Sequence, residues 1–207
     1  MEILKNKELT QLFLEKVIEK KSDYFIEVGC FEASSSIKIS QSLPNCNVFA
    51  YEANPYNYDN FKDQLNKYKL NYVNKAISNY CGKTSFFLQQ HKNYVVGNNS
   101  LLKRNSSCEY KEVQVLCDTL DNLNYEIDKK YSLWIDAEGH GLEVLEGSEK
   151  VLEKTELILI EVESIQYWKN QKLDKDVIRF LENRGFYWKY RDQEYPKQYN
   201  ILFEKDL

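Results

Sequence analysis

Apolar residues recur at helical spacing from Leu4 to Lys20, with Leu9, Leu12, Phe13 and Val17 on one stripe. The spacing predicts an amphipathic helix within residues 1–22, broken by Ser22 and Asp23. Tyr24 to Val28 then reads as a short buried strand that stops at Gly29. Ser34 to Ser42 reads as a helix, Leu43-Pro44-Asn45 as a turn, and Asn47 to Tyr51 as a second strand ending at Glu52. Pro55 suits the first turn of a helix running to about Lys67. Leu70 to Val73 is a third strand. Strand and helix alternating through short connections predict a parallel sheet with right-handed crossovers and helices on both faces.

The second half is less regular. Residues 82–90 predict a hairpin or an extension, and residues 91–112 form a long polar loop. Lys92, Lys103, Arg104, Tyr94 and Tyr110 in that loop suit a cover over an acceptor, with a solvated surface insertion as the alternative. Strands are expected at 113–116 and 131–136, and a helix at 143–154. Leu157 to Val162 is the most apolar strand and is expected at the centre of the sheet. A helix at 174–184 capped by Gly185, then a strand pair at 186–191 and 199–204, closes a single domain over residues 1–207.

Composition narrows the class. Hydrophobic residues make up 43% and charged residues 29% of the 207, which is globular rather than disordered. A net charge of -4 with interspersed charges argues against a dedicated nucleic-acid binder. Only four of the 28 basic residues are arginine, and tyrosines number 16, a bias of AT-rich codons rather than of chemistry. Cys30, Cys46, Cys81, Cys108 and Cys117 form no Cys-x-x-Cys pair, and His91 and His140 lie far apart, so no zinc site is expected. Reduced thiols and the lack of a signal-type apolar run point to a cytoplasmic setting without membrane association.

Chemistry concentrates where predicted strands end, since ligands of open α/β sheets bind beyond the carboxyl ends of the strands. The first such turn is IEVGCFEASSS, where Gly29 permits close backbone approach. The second is FAYEANP, where Glu52 stands 23 residues after Gly29, at the place of a carboxylate that bonds ribose hydroxyls. The third is LWIDAEGHGLEVLEG, which crowds Asp136, Glu138 and His140 between glycines. Close carboxylates repel one another unless a cation, donor or ligand offsets the repulsion.

These blocks, with NKAISNYCGKTSF, VQVLCDTLDNL and LILIEVE in order over residues 23–165, resemble the FkbM family of S-adenosylmethionine-dependent methyltransferases. The resemblance implies a doubly wound, mostly parallel class I sheet of seven strands, with helices on both faces and an antiparallel C-terminal strand. It implies S-adenosylmethionine as cofactor and methylation of a hydroxyl on a small molecule, sugar or glycan. By position it places Glu27, Gly29 and Cys30 at the methionine-binding turn, Glu52 with Ala53 and Asn54 at the ribose, and Ala76 beside adenine. Asp136, Glu138 and His140 fall at the reaction centre, with Asp136 also among the cofactor-binding residues. The first motif departs from the family pattern: Glu27 replaces Asp, Phe31 stands where Asn is common, and Ala33 where Gly is common. Gly141 follows His140, where an acid is frequent.

Within that class, His140 is the expected base, a neutral imidazole being well matched to neutral pH. Asp136 or Glu138 would orient it or hold the acceptor. The expected site holds no metal. The rival is a divalent cation on Asp136, Glu138 and Glu161 or Glu163. A non-catalytic cofactor- or glycan-binding protein is the first alternative function. A nicotinamide-dependent oxidoreductase is less favoured, because Phe31 and Ala33 break the glycine-rich fingerprint it needs.

Overall fold

A computed structural model describes residues 2–206 apart from 108, 124, 127 and 194. In chain order its strands are β1 (Glu2–Leu4), β2 (Tyr24–Val28), β3 (Asn47–Glu52), β4 (Asn71–Asn74), β5 (Ala76–Ile77), β6 (Gly82–Gln89), β7 (Tyr110–Asp118), β8 (Tyr131–Ile135), β9 (Thr155–Glu163), β10 (Tyr187–Asp192) and β11 (Gln198–Glu204). Its helices are α1 (Asn6–Lys20), α2 (Ser34–Ser42), α3 (Pro55–Leu65), α4 (Gly141–Glu146), α5 (Glu149–Glu153) and α6 (Asp174–Glu182).

The main sheet runs β1-β10-β11-β9-β8-β2-β3-β4. The pairs from β9 through β8, β2 and β3 to β4 are parallel, and β11 is antiparallel to both β9 and β10. The seven expected strands are joined by an eighth. Residues 2–4, expected inside the first helix, instead pair in parallel with β10, Glu2 opposite Tyr190. An open sheet edge presents unpaired backbone groups, and β1 covers part of that edge. Lys5 then opens α1, its backbone N–H donating to Glu8 Oε2 at 3.0 Å.

Both faces of the sheet are buried, as the alternation along its strands requires. Ile26, Leu133, Ile158 and Ile160 pack with α4 and α6 through Leu142, Val144, Val177 and Leu181. Phe25, Val48, Leu157 and Leu159 point the other way, onto Leu9, Phe13 and Val17 of α1 and Ile39 of α2. Each such side chain contributes roughly 1.5–3 kcal/mol by leaving water.

A second sheet, β5-β7-β6, stands beside the first. β6 and β7 form one long hairpin, from Gly82 opposite Cys117 to Gln89 opposite Tyr110. β7 therefore starts earlier than expected, and the loop at its tip is shorter than 91–112. The helix expected over 143–154 is two pieces. Gly147 separates them because it packs on a neighbouring chain segment: a Cβ there would lie 2.0 Å from the Ser78 carbonyl oxygen. The helices from Pro55 and Asp174 each stop about two residues early. Cys108 lies outside the described residues, and Cys30, Cys46, Cys81 and Cys117 are free. Among the described residues no helix is long and apolar enough to cross a membrane.

Candidate active site

A cleft of about 670 Å³ opens at the carboxyl ends of β2, β3, β8 and β9. It is lined by Gly29, Phe31, Glu52, Ala53, Ala76 and Ile77. Asp136, Glu138, Glu161, Arg104, Trp168 and Tyr195 also line it.

Gly29 is set by contact as well as by dihedral. Its φ is +80°, and a Cβ there would lie 1.8 Å from the Asp136 carbonyl oxygen. The strand ends of β2 and β8 are held together there by Asp136 N–H donating to Val28 O at 2.9 Å. Gly29 and Cys30 N–H both donate to Tyr51 O, at 2.9 and 3.1 Å. Phe31 and Ala33 adopt φ of 49° and 55°. They are the two positions where the family commonly has Asn and Gly, residues at ease in left-handed backbone. The turn keeps its shape with residues that carry strain in it.

Glu52 fastens this turn. Its Oε2 accepts from Phe31 N–H at 2.9 Å and its Oε1 from Asn54 N–H at 2.7 Å. Burial pushes its carboxyl up to about 7 against the pull of these donors. Glu27, Cys30 and Asn54 stand behind the cleft wall. Glu27 Oε2 accepts from both Ser36 N–H and hydroxyl, at 3.0 and 2.5 Å, and so anchors the start of α2. Burial raises it to about 7 as well. Cys30 is buried with Ala33, Ala50 and Leu65. Asn54 caps α3 by accepting from Tyr56 N–H at 2.9 Å, and donates to Tyr94 O at 2.8 Å.

His140 reaches the cleft wall, but both ring nitrogens face protein. Nε2 shares a 2.8 Å hydrogen bond with buried Ser78 Oγ. Nδ1 lies 3.7 Å from Glu143 Oε2, too long for a hydrogen bond, and neither atom has another partner. Only 7% of the residue is exposed. Burial holds the imidazole down at about 4, so it is neutral near pH 7 and forms no ion pair with Glu143.

The carboxylates do converge. Asp136, Glu138 and Glu161 each offer an oxygen within 4.8 Å of the other two. Burial, then Asp136 and Glu163, lift Glu138 well above the usual carboxylate range, with Arg104 pulling the other way. Burial and the charges of Asp136, Glu138 and Glu163 do the same to Glu161. Burial followed by Asp136 takes Glu163 to about 8. Gln198 on β11 donates to Glu161 Oε1 at 2.8 Å, and Gln171 to Glu163 Oε2 at 2.5 Å.

The hairpin tip forms the rim. Ser100 hydroxyl donates to Glu138 O at 2.6 Å, Asn105 N–H to Tyr167 O at 2.8 Å and Lys169 N–H to Lys103 O at 2.7 Å. The Arg104 guanidinium lies 5.0 Å over the ring of Trp168. His91 is exposed, away from the cleft. Ser78, Trp168 and Gln198 carry no motif that singles them out. Glu161 and Glu163 do leave a signal: they continue the face of Leu157 and Leu159 at a strand end, where charge replaces apolar side chains.

A doubly wound sheet with an antiparallel strand inserted beside β9, and a strand-end cleft of this shape, define the class I methyltransferase fold. The family model described as Methyltransferase FkbM domain matches residues 27–187. The chain belongs to the FkbM methyltransferase family and is an S-adenosylmethionine-dependent methyltransferase. Similar solved structures include an rRNA methylase from Streptococcus thermophilus, at 11% identity and a TM-score of 0.56 with 100% of each chain covered. A precorrin-6y C5,15-methyltransferase from Geobacter metallireducens aligns at 16% identity and a TM-score of 0.53, over 99% of this chain and 91% of that one. An S-adenosylmethionine-dependent methyltransferase from Clostridium acetobutylicum aligns at 8% and 0.51, over 99% and 93%. At such identities the likeness shows the fold alone. No curated protein matches the chain in sequence.

Proposed function

We propose that the protein methylates a hydroxyl of a small molecule, sugar or glycan. The observation that carries this reading is one cleft that Gly29 and Glu52 line together with Asp136, Glu138, Trp168 and Arg104. The residues around Gly29 suit the cofactor: a Cβ would fill the cradle there, Glu52 lines the cleft at the position the family resemblance gives to a ribose contact, and Ala53, Ala76 and Ile77 offer an apolar bed. When bound, S-adenosylmethionine supplies an electrophilic methyl group. Glu27, Cys30 and Asn54 support that part of the cleft by shaping the turn rather than by facing it.

In the same cleft an acceptor hydroxyl meets Asp136 and Glu138, which accept its hydrogen bond and draw off its proton. Burial and neighbouring charge raise the Glu138 carboxyl, which makes it a stronger base than an ordinary carboxylate. Alignment of the acceptor supplies the larger share of the rate. The part expected of His140 passes to these acids, because its nitrogens are turned to Ser78 and Glu143; it positions the 136–140 turn. The rim at 97–105 is the acceptor cover, and Tyr167 and Tyr195 offer faces for a sugar ring. The free thiols fit a reducing, cytoplasmic setting.

Titration with S-adenosylhomocysteine should raise the melting temperature, and Glu52→Ala should abolish the rise. Turnover should then appear with hydroxyl acceptors among mono- and oligosaccharides, and Glu138→Gln should reduce it about 10²-fold or more. No thermal shift at millimolar ligand, or transfer only to acceptors lacking a hydroxyl, overturns the reading.

A further inference from the structure

From the geometry of the cleft floor we infer that Asp136, Glu138 and Glu161 form a binding site for one hard divalent cation, of the magnesium, manganese or calcium class. Three observations converge. The three carboxylates come from separate, fixed places: the end of β8, the turn after it, and β9. Each brings an oxygen within 4.8 Å of the others, the spacing of atoms around one ion. Glu138 Oε2 is shut off from solvent and, among the described residues, meets no donor, so this oxygen lacks the partner that a buried polar atom requires.

The protein also holds Glu138 where it is. Its backbone is left-handed, with φ of 47°, and its carbonyl is tied to the Ser100 hydroxyl. Arg104 pulls Glu138 and Glu163 back toward the charged form, and its guanidinium lies over the Trp168 ring. Gln198 supplies an amide to Glu161, not a charge. An all-oxygen donor set selects hard cations over zinc or copper. Magnesium and calcium take six or more oxygens. Three carboxylates leave positions open toward the cleft, and an acceptor with two neighbouring oxygens, a vicinal diol or α-hydroxy acid, would complete the shell. This last step rests on the methyltransferase reading; the cation site itself does not.

The test is a titration of the purified protein with manganese, without cofactor or acceptor, followed by the electron paramagnetic resonance signal of the free ion. The expected result is saturable binding of one ion per chain, displaced by magnesium. Glu138→Gln and Asp136→Asn should each weaken it about 10-fold or more, and Glu143→Gln, a half-buried acid outside the cluster, should leave it unchanged. No saturable binding at millimolar manganese overturns the inference, and so does binding that ignores both amide substitutions. Should either variant fail to fold, the titration of the unsubstituted protein decides alone. A protein that binds S-adenosylhomocysteine but no manganese keeps its proposed function and loses only this site.

Discussion

Gly29→Ala separates two penalties that a glycine in a turn usually combines. Gly29 and Gly185 share nearly the same backbone, with φ of +80° and +82°. A Cβ at Gly185 would meet nothing within 4 Å, whereas one at Gly29 would lie 1.8 Å from the Asp136 carbonyl oxygen. Gly185→Ala therefore reports the left-handed backbone alone, about 1–2 kcal/mol, or a fall in melting temperature of about 2–8 °C for a chain of this size. Gly29→Ala adds a clash that ordinary contact distances relieve only if the ends of β2 and β8 part by about 1.5 Å. Overpacking of this kind costs a further ~1–3 kcal/mol or more. It also opens the cradle, so affinity for S-adenosylhomocysteine should drop about 10-fold or more in Gly29→Ala and stay unchanged in Gly185→Ala. Differential scanning fluorimetry and calorimetry on the pair give both numbers. If the two variants melt together and bind the ligand alike, the strand ends are not in rigid contact, and the account of Gly29 fails.

Two further substitutions test the first turn. Glu27 is protonated more readily in the folded chain, at about 7 against an ordinary 4.5. The stability this gives is complete below pH 4.5 and disappears as pH rises through 7, a change of up to about 3 kcal/mol. Glu27→Gln should flatten the decline in melting temperature between pH 5 and 8; an unchanged slope assigns that decline elsewhere. Ala33→Gly should relieve about 1–2 kcal/mol of left-handed strain while giving up about 0.8 kcal/mol for one buried methyl. Equal or higher thermal stability is expected, and a loss of several degrees would show that Ala33 is not strained.

Much of the fold was legible because local pattern and global position agree. Leu157 to Ile160 is apolar on both faces, as a central parallel strand must be, and β9 lies at the centre of the sheet. Elements that depend on distant partners were not legible. Nothing in residues 2–4 distinguishes a strand from a helix start; the edge of β10 decides it. Nor does Gly147 announce a break in a helix, since its cause is Ser78, nearly 70 residues away. The candidate site divides in the same way. Gly29, Glu52, Asp136 and Glu138 reach the cleft because topology gathers strand ends there. Glu27 and Asn54 are as acidic or polar in sequence, yet Ser36 and Tyr56 claim their side chains. For His140 the residue type implied a base, while the partner of each nitrogen depended on packing that no spacing encodes.

The position of β11 has a consequence for synthesis. It follows β10 in chain order, but it lies between β9 and β10, and Gln198 at its start donates to Glu161 at 2.8 Å and to Glu163 at 3.4 Å. A chain that leaves the ribosome amino end first can pair β2, β3, β4, β8 and β9 before residues 198–204 emerge. Until then β9 is an open edge and its two acids lack the amide that steadies them. The cleft residues Gly29 and Glu52 can therefore be in place in the nascent chain before residues 198–204 steady Glu161 and Glu163.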